Sequence, residues 1–429
     1  MLDIKYFREN PKPLITSEIT RGHGRKFVDD VIKHDNEWRK ALKKVEQLKA
    51  KRNAVTKEIS QFKKQGKNAD SKIKEMKNVA ADIQKQDTKV NDILKKRDKA
   101  RAEVGNPLDP QIPQGKDDSE NVPVKFWGKK PKFDFPLRDH IELGEMNDLF
   151  EFDTAAKAAG ARFYYLKNEA VSLAWALQNF AMDYLRKNGF NMVWPPLMLN
   201  RAALAGGVNL SEFTDTIYKI EGEDLYLIGT SEHPLVAMKK DQVLTEDQLP
   251  VKLGGISPCF RKELGAHGRD DKGIYRVHQF NKVEQIMYTL PKNSPKAFKV
   301  MQRNAEKLFE ALGIPYRVVV ICTGDLGNKQ SLQYDIEAWM PGQKNKKGAY
   351  REVTSCSNCL SYQAESLNTK YLDKKTGNKE YVHMLNNTAI TDRAIIPILE
   401  NNQQKDGSIK IPKALWKYTG FKVIKPKKK

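Results

Sequence analysis

Cysteine is scarce in this 429-residue chain: there are four, and only Cys356 and Cys359 stand at the Cys-x-x-Cys spacing, Cys259 and Cys322 being isolated. A redox pair would normally open a helix after a strand in a thioredoxin-like unit, which this context does not offer. A structural zinc site draws about four ligands, usually from two such pairs, and here the second half is missing. No zinc is therefore expected, and the two cysteines of "REVTSCSNC" (351–359) read as small packing residues. Long apolar runs are absent as well; none approaches the ~18 residues of a membrane span. The opening "MLDIKYFREN" carries no basic stretch leading into an apolar one, which argues for a cytoplasmic protein without membrane attachment. Neither G-x-x-x-x-G-K-S/T nor G-x-G-x-x-G follows a strand pattern, so any nucleotide is held without the usual phosphate-cradling helix start.

Acidic residues are the other shortage: 54 Asp and Glu face 75 Lys and Arg, for a net charge of +21. The surplus is concentrated. Residues 21–104 hold 25 basic against 13 acidic side chains, and residues 405–429 hold nine lysines against one aspartate. The rest of the chain is close to neutral, as expected of an enzyme body carrying a grip for a polyanion. A solvated helical surface with a solubilising tail is the plainer alternative.

What is present divides in two, as the length suggests. Between residues 27 and 104, Val31, Trp38, Val45 and Ile59 recur at sevens, with Ala41, Leu48, Val55 and Phe62 three behind. Arg52 interrupts that seam. Met76, Ile83, Val90 and Val104 form one line of a second seam, and Ile73, Ala80 and Leu94 the other. Gly66, Asn68, Asp70 and Ser71 break both patterns, so the spacing predicts an antiparallel coiled-coil hairpin. "GNPLDPQIPQGKDDSENVP" (105–123) reads as a linker. Beyond it, "LYLIGTSE", "YRVVVICTG", "VHQFNKVEQIMYTL" and "YDIEAWM" read as strands, and 169–189 and 295–313 as amphipathic helices, which together predict an α+β domain with a mostly antiparallel sheet.

The densest chemistry lies in "CFRKELGAHGRDDKGIYRVHQFNKVEQ" (259–285). Arg261 and Glu263 share one face of a predicted strand. A loop follows with Gly265, Gly268, Gly273, His267, Arg269 and Lys272. The chain then returns with Arg276, Phe280 and Glu284, four apart and again on one face. Arginines facing a carboxylate and an aromatic suit a phosphate, an amine or metal, and a flat base. An ordinary hairpin with cross-strand ion pairs fits the same residues.

This patch resembles motif 2 of the class II aminoacyl-tRNA synthetases, in its seryl-tRNA synthetase form. The likeness extends to "MLDIKYFRENP", "DHIELGEMNDLFEFDTAAKAAGARFYYL", "LYLIGTSEHPL", "TGDLG", "YDIEAWMPGQ" and "REVTSCSNC". "GFNMVWPP" (189–196) is similar to motif 1, and "LNNTAITDRAIIPILENNQ" to motif 3. The resemblance implies a class II antiparallel-sheet catalytic domain with flanking helices at 126–416. Before it would lie a tRNA-binding domain with a long coiled-coil arm at 1–106 and a linker at 107–125, and after it a basic tail at 417–429. It implies activation of L-serine with ATP to seryl-adenylate and transfer to tRNA(Ser), with tRNA(Sec) a further acceptor it allows.

The same resemblance implies the site. Arg261 would hold the α-phosphate and the serine carboxylate, and Arg393 the far end of the triphosphate. Phe280 would stack on adenine, with Lys262, Glu263, Arg276 and Val277 completing the nucleotide pocket. Glu352, Val353, Thr354 and Ser355 would lie along ATP, with Glu352 and Ser355 near its Mg2+. Glu232 and Glu284 would take the serine ammonium, beside Thr230 and Ser231, and Thr388 the hydroxyl, beside Asn386. A homodimer built on 169–196 and a tRNA grip in the basic arm are implied too. His278 and His233 read as packed histidines, and Trp339 and Tyr334 as core. Three departures stand out: an Asn386-to-Arg393 spacing one residue short, Glu365 and Ser366 where the family has two arginines, and a basic insertion at 344–348. A paralogue that forms adenylate or binds RNA without charging tRNA, and a pure coiled-coil interaction protein, are the competing readings.

Overall fold

The heptad spacing becomes two helices, α1 (Lys26–Lys64) and α2 (Asp70–Glu103), of 39 and 34 residues, about 58 and 51 Å long at 1.5 Å per residue. Next to the turn, Val55, Ile59 and Phe62 meet Ile73 and Met76. Farther along, Trp38, Ala41 and Val45 meet Val90 and Ile93. That order of contacts makes the pair antiparallel. Arg52 is exposed, and Val79 rather than the expected Ala80 enters the seam, because 3.6 residues per turn drift against a strict seven-residue spacing. Toward the other end, buried Asp35 accepts from Arg8 at 2.8 Å and Arg97 at 3.2 Å, so the charge inside the seam is paired.

These helices belong to the first of two compact units, residues 1–107 and 108–429; the computed structural model describes residues 1–208, 216–263 and 273–427. The second unit is built on an eight-stranded sheet: β1 (Val122–Trp127), β2 (Asn191–Val193), β3 (Val251–Phe260), β4 (Gln279–Thr289), β5 (Tyr316–Val320), β6 (Leu332–Met340), β7 (Ala349–Asn358) and β8 (His383–Thr391). Their order is β1-β5-β6-β7-β8-β4-β3-β2, and every pair is antiparallel except β2 with β3. Two helices, α3 (Glu169–Lys187) and α4 (Ser294–Ala311), pack on one face. Alternation along β4 divides the labour. Val283 and Met287 point into the helix-covered core, Ile286 and Tyr288 into a second, smaller core, and Phe280, Lys282 and Glu284 share the latter face.

Two boundaries differ from expectation. The stretch expected as a linker (107–125) ends inside the sheet, since Val122 already pairs with Val320. The stretch expected as a basic tail (417–429) is folded through Ile424: Val423–Ile424 pairs with Ile409–Lys410, and Trp416, Tyr418 and Phe421 pack on the main core. Aromatic burial outweighs lysine content there. No described helix is long and apolar enough to cross a membrane.

Candidate active site

The cleft lies where β4, β7 and β8 meet the segments flanking motif 2. "LYLIGTSE" is not the strand its residues suggest: only Tyr226–Leu227 is extended, and Glu232 opens the short helix Glu232–Ala237. Gly229 and Pro234 favour that break. Arg261–Glu263 likewise lie beyond the end of β3, with Glu263 at φ 49°, and Arg276 precedes β4 rather than standing in it. Loop residues Gly265, His267, Gly268, Arg269 and Lys272 lie outside the described residues.

Leaving the strands does not scatter these side chains. Arg261, Glu263, Arg276, Val277, Phe280, Glu352, Val353, Thr388 and Arg393 line one cleft. A cavity of about 360 Å³, bounded by Thr230, Glu232 and Lys329, opens onto it through Arg261, Glu263 and Arg276. Arg261 donates from Nε to the Gly229 carbonyl at 3.1 Å and lies 5.2 Å from the Phe280 ring centroid. Arg276 donates to Glu263 at 3.0 Å.

Two carboxylates mark the inner end, each paired with its own lysine. Glu232 Oε1 accepts from Lys329 Nζ at 2.6 Å, Gln363 Nε2 at 2.8 Å and Asn386 Nδ2 at 3.3 Å. Burial is the largest single influence and would raise this carboxyl, but Lys329, the foremost of its charged neighbours, acts with Lys282 and His233 to bring the pKa down to about 2. Glu284 meets Lys282 Nζ at 2.5 Å and accepts from Thr388 Oγ1 at 3.3 Å, and burial holds its carboxyl above the ordinary range. His233 is driven by burial down to about 3, so it is neutral. His278, only partly buried, braces the motif: its ring nitrogen lies 2.8 Å from the Arg261 carbonyl and 3.3 Å from the Tyr218 hydroxyl. Trp339 and Tyr334, expected in the core, are only partly buried at its edge.

Two bulges set the outer end. Between Ile336 and Glu337 of β6, β7 gains a residue, so Glu352 and Ser355, three apart, share a face with Asp335 and Glu337. Burial and Glu352 push Asp335 well above the carboxylate range, while the half-exposed Glu352 stands beside Ser355. A second bulge, between Thr388 and Ile390, turns Thr391 onto the cleft after Asn386 and Thr388. Arg393 reaches the cleft, donating to the carbonyls of Tyr275 at 3.2 Å and Glu352 at 3.0 Å.

Some residues singled out in the sequence stand aside. Lys262 lies by the Tyr218 ring, and Ser231 and Thr354 are buried away from the cleft lining. Cys356 faces the Phe298 carbonyl and Cys359 faces Asn386, so the sulfurs do not converge, and burial raises both thiols, Cys359 to about 12. Lys282, Lys329, Gln363 and Tyr275 were not anticipated. Only Lys282 left a signal, standing two residues from Phe280 and from Glu284 on the same strand face.

Known proteins resemble this chain over its whole length. The family model "tRNA synthetase class II core domain (G, H, P, S and T)" matches residues 216–402, and "Seryl-tRNA synthetase N-terminal domain" matches residues 1–108. The serine–tRNA ligase of Pyrococcus horikoshii is 45% identical, with 100% of this chain and 98% of that protein covered. The crystal structure of P. horikoshii seryl-tRNA synthetase complexed with ATP matches at TM-score 0.90 and 44% identity, covering 100% of both chains. The cytoplasmic serine–tRNA ligase of Naegleria fowleri in complex with AMP matches at TM-score 0.86 and 33% identity, over 100% and 99% of the two chains.

Proposed function

The chain belongs to the seryl-tRNA synthetases, within class II of the aminoacyl-tRNA synthetases, and on that premise we propose the roles of its cleft residues. The protein is a serine–tRNA ligase that uses ATP; matches along both units disfavour a paralogue that has lost charging. In the first step a serine carboxylate oxygen attacks the α-phosphorus of ATP, the bond to the β-phosphate oxygen breaks, and pyrophosphate leaves. In the second, a hydroxyl of the terminal tRNA adenosine displaces AMP from the acyl carbon.

The observation that carries the assignment is the meeting of Arg261, Phe280, Thr388 and Arg393 in one cleft, with Glu232 in the cavity that opens onto it and Glu284 behind Thr388. Arg261 spans the serine carboxylate and the α-phosphate, Phe280 stacks on adenine, and Glu263 and Arg276 border the base. Arg393 receives the outer phosphates. Positioning and focused positive charge thus do most of the work. No side-chain base is required, because the serine carboxylate is already ionised, and neutral His233 fits that economy. Glu232 and Glu284 take the ammonium. Their lysines keep the pocket from accumulating two bare negative charges, and Thr388 with Asn386 reads the hydroxyl. The oxygen donors of Glu352 and Ser355 suit Mg2+, which prefers one or two carboxylates plus phosphate oxygens; when bound it would neutralise developing phosphate charge.

The basic hairpin is the tRNA(Ser) grip, and the protein works in the cytoplasm. A homodimer through 169–196 is supported by Val171 and Trp175 on one face of α3, and by Trp194, all exposed. Serine-dependent ATP–pyrophosphate exchange followed by tRNA aminoacylation tests the whole reading: exchange without charging refutes the second step, and neither activity refutes both.

A further inference from the structure

Tyr275 takes no part in the chemistry above, yet two elements of the cleft converge on it. The guanidinium carbon of Arg351, from β7, lies 4.0 Å from its ring centroid, and that of Arg393, from the turn after β8, lies 4.5 Å away. Its backbone carbonyl accepts from Arg393 Nε at 3.2 Å. Its hydroxyl donates to the Glu352 carbonyl at 3.2 Å, the same oxygen that accepts from Arg393 Nη1 at 3.0 Å. The ring is 7% exposed.

Two guanidinium groups crowded together repel, and the cost rises where water is thinned. The negative face of an aromatic ring offsets that repulsion, most strongly where the cations are partly desolvated. The two carbonyls occupy two of the five N–H groups of Arg393 and fix the plane of its fork. The arginine is thereby aimed before a ligand arrives, which spares the entropy of ordering it. We propose that Tyr275 is a positioning residue for the triphosphate, its ring and carbonyl holding Arg351 and Arg393 as a preformed cationic pair at the leaving-pyrophosphate end. This rests on the adenylation reading of the cleft. The larger share falls to the ring; the hydroxyl, which also meets the Arg351 side chain, contributes less.

The test is serine-dependent ATP–pyrophosphate exchange by Tyr275→Met and Tyr275→Phe beside the wild-type protein, whose own exchange checks the adenylation reading separately. Methionine fills similar space without the negative ring face and should lower kcat/KM for ATP about tenfold or more. KM for serine, and Kd for AMP, which lacks the outer phosphates, should stay within about twofold. Phenylalanine keeps the ring and should stay within about threefold of wild type on every measure. Pentafluorophenylalanine at position 275 conserves shape while reversing the ring face; it should follow methionine, and decides the matter if the methionine protein does not fold. The inference is overturned if the ring-disabled variants match wild type on ATP, if phenylalanine falls as far as they do, or if serine and AMP binding decline in step with ATP.

Discussion

Replacing Lys329 by methionine strips Glu232 of its counter-ion at a site where the two side chains are 16% and 9% exposed. The size of the effect follows from the carboxyl. Burial pushes it up, yet it stands at about 2 against an ordinary 4.5, a shift of roughly 2.5 units at 1.36 kcal/mol each, so about 3 kcal/mol of stability at neutral pH. Breaking a buried pair by removing one partner costs a similar 3–5 kcal/mol. Because the folded pKa is depressed, that stability is fully present above pH 4.5 and fades as pH falls toward 2. In the variant only burial and weaker partners remain, the carboxyl rises, and protonation relieves the defect. Lys329→Met should therefore cost about 3 kcal/mol near pH 7.5, and clearly less at pH 4. Tryptophan-monitored urea titration at both pH values measures this, with Lys329→Met/Glu232→Gln regaining most of the loss because no bare charge remains. A loss under about 1 kcal/mol, or one equal at both pH values, would refute the claim that Lys329 neutralises Glu232.

Thr388→Val should lower kcat/KM for serine about 10- to 100-fold in pyrophosphate exchange while Kd for ATP hardly moves, since a buried hydrogen bond is lost only at the serine end. Equal losses would remove Thr388 from the hydroxyl site. Replacing exposed Arg52, Lys63 and Lys64 by glutamine should raise KM for tRNA and flatten its salt dependence by about 0.7–0.9 log unit per contact, with exchange unchanged. Asp392 titrates in the opposite sense to Glu232. Burial lifts it to about 6 although Asn281 donates to it twice, at 2.7 and 2.9 Å. The folded protein therefore binds the extra proton, and stability declines as pH rises from about 4 to about 6. Asp392→Asn should flatten that decline and raise stability at pH 7.5 by up to about 3 kcal/mol, read from urea midpoints; an unchanged profile would contradict the assignment.

Periodicity is legible in sequence because it repeats, and the elements with the longest periods are the ones that match. The helices α1 to α4 end within two or three residues of where their apolar patterns stop, and β4 carries Phe280 and Glu284 on one face as period two requires. Motif likeness then located side chains that periodicity could not. Its site set is largely brought together even though Arg261, Glu263, Arg276 and Glu232 lie outside the strands expected for them.

What stayed hidden depends on register and on contacts between distant segments. Val353 and Ala389 are unremarkable in sequence, yet each sits at a bulge that changes which neighbours face the cleft. Without the first, Glu352 and Ser355, an odd number apart, would point to opposite sides of β7. The second puts Thr391, rather than Ile390, on the cleft side of β8, and the turn that carries Arg393 starts from there. Lys329 and Gln363 illustrate the other limit. They converge on one oxygen of Glu232 from positions 97 and 131 residues away, and no local pattern can announce a lysine whose role is defined by a carboxylate on another segment. Their contribution is electrostatic, set by burial, and burial is known only once the sheet has closed over them.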